Sequence, residues 1–65
     1  MQPYQQRVIE ERQQLIERIN KLRTFVSDDN GPFSKLSMHE QDLLLRQLMV
    51  MEEYEDILNE RISIF

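Results

Sequence analysis

The sequence predicts an all-α protein, a helical hairpin of two long helices that assembles into a compact homo-oligomer. Three observations carry that reading. Glycine occurs once and proline twice in 65 residues, so few turns or strand boundaries can exist. Two long stretches place apolar residues at the spacing of a helix face. The chain is also too short to bury a large core, and it has no cysteine with which to staple a small one. Oligomerisation is the staple that remains.

The first helix is expected over about residues 3–26. Pro3 suits its first position, where a proline gives up no intrahelical hydrogen bond and has its φ preset. Val8, Leu15, Ile19, Leu22 and Val26 recur at spacings of seven, four, three and four and share one face. Ile9 and Ile16 widen that face beyond the narrow seam of a two-stranded coil, which implies more than one neighbouring helix. Glu17 and Lys21 stand four apart in the favourable order for a surface ion pair.

A turn over residues 27–37 follows. Asn30 and Gly31 tolerate left-handed φ values, and Pro32 cannot continue a helical ladder. Phe33 and Leu36 are expected to tuck against the helices. Ser37 and Glu40 have the spacing of a capping box, with the serine hydroxyl accepting from the Glu40 N–H and the glutamate reaching back. The second helix then runs over about residues 38–62. Leu44, Leu48, Met51, Leu58 and Ile62 form its stripe, interrupted at Glu55. Leu45, Met49, Val50, Tyr54 and Ile57 make it apolar on more than one side. Each helix is roughly 36 Å long. A single hairpin interface leaves apolar surface uncovered, and such surface usually marks a partner contact.

Charge is unevenly placed. The formal net charge is −4, which argues against binding DNA or RNA polymers through a basic surface. Yet residues 3–26 carry five basic and three acidic residues, while residues 27–65 carry three basic and nine acidic ones. Two oppositely charged helices that pair would explain this. A local anion site on an acidic protein would explain it too. No apolar run reaches the roughly 18 residues that span a membrane, and the start lacks the basic and apolar regions of a signal peptide. A soluble, intracellular protein is expected.

Enzyme chemistry finds little footing. One glycine cannot build a phosphate-cradling loop. His39, the single histidine, falls in the exposed first turn of the second helix. Adjacent acidic residues such as Glu52 and Glu53 point about 100° apart on a helix and do not converge on a metal. No catalytic residue, metal site or cofactor is expected. Tyr4 is more informative. Its ring either caps the end of the hydrophobic interface or offers a stacking platform to a base, with nearby cations on phosphates. Arg7 shares its face. Arg18 points the same way about 21 Å along the axis, and Lys21 competes with it. A pocket shared between antiparallel copies would let Tyr4 of one chain meet Arg18 or Lys21 of another.

Three stretches carry a resemblance: PYQQRVIEER at residues 3–12, LIERINKLRTFV at 15–26 and LLRQLMVMEEYEDILNERISIF at 44–65. Together they resemble the anti-CBASS cyclic-nucleotide sponges, very small phage proteins. CBASS is a bacterial defence in which infection triggers synthesis of cyclic oligonucleotides that activate a killing effector. The resemblance implies a helical hexamer that binds cyclic dinucleotides between subunits without cleaving them, and in some members cyclic trinucleotides at a separate site. It implies a base-stacking role for Tyr4 and a phosphate contact from Arg18 or Lys21, beside Arg7. Arginine stands where a lysine is common in the family, which keeps the charge but changes its reach. For a trinucleotide site it points to Arg61, with Arg46 behind it. The expected setting is the cytoplasm of an infected bacterium. The alternative is a small protein-interaction module, or a phage regulator that docks a host protein through its apolar stripe.

Overall fold

The computed structural model describes residues 1–65 and shows a helical hairpin without strands. Helix α1 spans Pro3–Ser27, a 3-10 turn spans Pro32–Lys35, and helix α2 spans Met38–Ser63. Each helix runs one residue beyond the expected end. The two lie side by side in a rod of 46 × 15 × 14 Å.

Local chemistry sets the ends. Pro3 opens α1, and the Gln2 N–H donates to Gln5 Oε1 at 2.8 Å. At the start of α2, Ser37 Oγ accepts from the Glu40 N–H at 3.1 Å. The return bond of the expected capping box is not made: the Ser37 side chain caps alone. Glu40 is exposed, so its carboxylate is solvated by water and still complements the helix dipole.

The turn closes differently from expectation. No residue has a positive φ, and Gly31 sits at φ −91°. α1 ends instead through Asp28, whose carbonyl accepts from the Gly31 N–H at 3.1 Å and whose Oδ1 accepts from the Asn30 N–H at 3.2 Å. Gly31 leaves room for the Asp28 side chain, which any larger residue would push aside. A Cβ there would lie 2.5 Å from Asp28 Oδ2. Phe33 meets Phe25 edge-on, with ring centroids 6.0 Å apart. Gln41 Nε2 donates to the Phe33 and Leu36 carbonyls at 2.9 and 3.3 Å, tying the turn to α2.

The core is thin. Val8, Leu15 and Ile19 of α1 pack on Leu58 of α2, the one side chain with no exposed surface. Leu48, Met51 and Ile62 are half-buried around them. Leu22 and Val26 continue the α1 face half-buried. Glu55, which breaks the α2 stripe, faces Arg12 across the interface at 3.9 Å. Asn59 joins them, accepting from Arg12 Nε and donating to Glu55 Oε2. Further along, Arg23 pairs with Glu52 at 2.8 Å. The basic first helix and acidic second helix are therefore cross-linked along one flank, by exposed or half-exposed pairs that add on the order of 0–1 kcal/mol each.

Candidate surface site on the first helix

α1 carries its remaining cations on the other flank. Arg7, Arg18 and Lys21 follow one another at spacings of eleven and three, which keeps them on one side of the helix. All three are exposed. None belongs to the three ion pairs of the chain, which use Arg12, Arg23 and Arg46. The Glu17–Lys21 pair expected from spacing does not form. Glu11 interrupts the strip four residues after Arg7, so its net charge is below the count of its cations.

Tyr4 begins this strip. Its ring stands edge-on to Phe65 at 5.9 Å and 82°, yet the residue is 50% exposed. The hairpin thus brings Tyr4 to the end of α2, not to Arg18. Tyr4 and Arg18 remain about 21 Å apart along α1, beyond the reach of one small ligand within one chain. Arg7 is the cation that a ligand on Tyr4 meets first. On α2, Arg61 is exposed and free of ion pairs, while Arg46 pairs with Asp42 one turn away. Fifteen residues separate the two arginines, roughly 22 Å, so one chain does not unite them. His39 lies exposed in the first turn of α2.

Sequence reasoning did not foresee the one hollow of the surface. It is open, about 200 Å³, and lined by Ile16, Ile19, Asn20, Arg23, Glu52, Glu55 and Asp56. None of the predicted site residues lines it. Three carboxylates against one guanidinium make it unsuited to a polyanion. Glu52, Glu55 and Asp56 stand three and four residues apart, a spacing that puts them on one flank of α2, whereas only adjacent acidic residues were weighed from the sequence. Their meeting with Asn20 and Arg23 depends on the register of the two helices.

These features define a class, a very short all-α hairpin with no enclosed cavity and with unpaired cations on one face of its first helix. The chain belongs to the Sequestin family, which it matches over residues 2–64. It is also 42% identical over 65 residues, covering all of this chain and 98% of the relative, to a protein of Enterobacteria phage T4. That relative is described as an uncharacterized 7.5 kDa protein in the denB-rIIB intergenic region. No solved structure matches the chain. No helix is long and apolar enough to cross a membrane.

Proposed function

We propose that this protein is a phage anti-defence sponge. In this reading it binds cyclic dinucleotide second messengers in the cytoplasm of the infected host and holds them intact, so that the CBASS effector is not activated. One observation carries the reading above all. In an acidic chain, Arg7, Arg18 and Lys21 stand exposed and unpaired along one face that begins at the half-exposed ring of Tyr4. A cyclic dinucleotide offers two flat bases and two phosphates, the groups that a ring and cations engage. The family's name, Sequestin, favours holding over turnover, and the phage relative favours a role in infection.

The 21 Å between Tyr4 and Arg18 requires two copies. Tyr4 and Arg7 of one chain would close a shared pocket with Arg18 and Lys21 of another, in a homo-oligomer of the hexameric kind. Arg61, with Arg46, is the place for a second, trinucleotide site. The test is recovery of the ligand. After incubation with a cyclic dinucleotide, heat denaturation and chromatography should return the unmodified compound in an amount that saturates with protein. A linear dinucleotide in the eluate would make the protein an enzyme and end the sponge reading. Tyr4→Ala and Arg18→Ala should each retain less ligand while the assembly keeps its mass. Equal retention by both variants would move the pocket off α1.

A further inference from the structure

Phe65 stands beside Tyr4 and outside the core. The two rings meet edge-on, with centroids 5.9 Å apart and planes at 82°. The contact leaves both residues open to solvent, Tyr4 at 50% and Phe65 at 41%. Rings that served only to close the end of the interface would be drawn out of water, as Leu58 is.

Both rings are carried on hydrogen-bonded backbone. Tyr4 follows Pro3 in the first turn of α1, where the Gln5 N–H donates to the Gln2 carbonyl at 3.0 Å. The Phe65 N–H donates to the Ile62 carbonyl at 3.2 Å, and Ile62 packs against the core. The return of α2 to the start of α1 therefore sets the angle between the rings.

Two rings near a right angle form an inside corner. A base that lies flat on Tyr4 beside Phe65 turns its edge toward the face of the Phe65 ring. That face is the negative side of the ring quadrupole and attracts the positive C–H and N–H edge of a base. Tyr4 alone offers one six-membered ring, and a stacking platform of that kind accepts any base. A purine has a second ring, which overhangs Tyr4 and gains a contact on Phe65. A pyrimidine covers Tyr4 and stops there.

We infer that Phe65 is a specificity-determining residue of the nucleotide pocket, the second wall that makes the Tyr4 platform favour purine bases. The inference rests on the proposed holding of cyclic dinucleotides. It adds α2 to a pocket whose other residues lie on α1. Arg7, three residues after Tyr4 and on the same face, stays the phosphate cation of this end. The corner belongs to one chain, so every copy in an assembly brings its own.

The test is isothermal titration of the assembled protein with cyclic diadenylate, cyclic diguanylate and cyclic diuridylate. The wild type should bind a purine compound more tightly than the pyrimidine one. Phe65→Ala and Phe65→Leu should weaken purine binding roughly 2- to 12-fold for each base on the wall, the worth of one aromatic pair. Both should bring the purine and pyrimidine affinities together, with mass by light scattering unchanged. The chain has no tryptophan, so Phe65→Trp sets a single indole at the corner. It should keep the purine preference, and its fluorescence should change as the ligand saturates. Phe65→Leu keeps apolar bulk beside Tyr4 but has no flat face. If that variant retained the full preference, Phe65 would be a structural cap and the inference would fall, with the pocket standing. A wild type without preference, a silent indole at saturation, or a smaller mass for Phe65→Leu would also overturn it. No binding of any of the three compounds by the wild type would overturn the sponge reading itself.

Discussion

Leu58→Ala should be the most damaging single substitution in the chain outside its partner contacts. Leu58 has no exposed surface and is the point where α2 meets Val8, Leu15 and Ile19. Truncation removes three carbons at about 0.8 kcal/mol each. A residual cavity raises the cost, so the expected loss is about 3 kcal/mol, near the lower end of the Leu→Ala range. The half-buried Leu48, Met51 and Ile62 around the site can partly collapse, which keeps it from the upper end. A domain of this length has a total stability of roughly 3–10 kcal/mol, and about 3 kcal/mol corresponds to a fall in Tm of roughly 20 °C. The assay is thermal and urea unfolding followed by circular dichroism at fixed protomer concentration, since association raises apparent stability. Met49→Ala is the internal comparison. Met49 is 62% exposed, and its truncation should change stability by no more than about 0.5 kcal/mol. Equal losses from the two variants would refute the placement of α2 on α1.

Other perturbations probe the ends and flanks. Ser37→Ala removes the only side-chain cap at the start of α2 and should cost about 1 kcal/mol, measured by urea unfolding. Gly31→Ala should destabilise in the wild-type background through the clash with Asp28, and less so when Asp28→Ala is also present; a double-mutant cycle reads the difference. Arg23→Ala breaks a pair in which both side chains are about half exposed, so its stability loss should stay below about 1 kcal/mol and shrink further in high salt.

Much of the hairpin was legible because its signals are local. Pro3 and Ser37 announce helix starts through their own backbone chemistry, and the stripe from Val8 to Ile19 announces the buried face through periodicity alone. The glutamate of the capping box was misjudged because an exposed carboxylate has water as an alternative partner. Gly31 was read for its conformational freedom, whereas its φ is negative and its lack of a Cβ makes room for the Asp28 side chain. Contacts set by the register of the two helices were out of reach. Glu55 showed as a gap in a stripe, but its reason lies in Arg12 and Asn59 across the interface. Tyr4 was left between two roles. Its edge-on contact with Phe65 depends on how the end of α2 returns to the start of α1, which no spacing encodes. The cations of α1 were visible as a charge asymmetry. Sorting them into paired Arg12 and Arg23 and unpaired Arg7, Arg18 and Lys21 required the fold.

The central claim is that the unpaired strip on α1 holds cyclic dinucleotides. Isothermal titration of the assembled protein with a panel of cyclic di- and trinucleotides tests it most directly, with linear dinucleotides as controls. The account predicts saturable binding of at least one cyclic dinucleotide. Tyr4→Ala should weaken it by about 1–3 kcal/mol per stacked base with little dependence on salt. Arg18→Ala should weaken it by about 1.5–3 kcal/mol and leave residual binding that is less salt-sensitive than that of the wild type. Lys21→Ala decides which cation carries the phosphate. No heat from any cyclic nucleotide, at concentrations where the protein is assembled, would contradict the account.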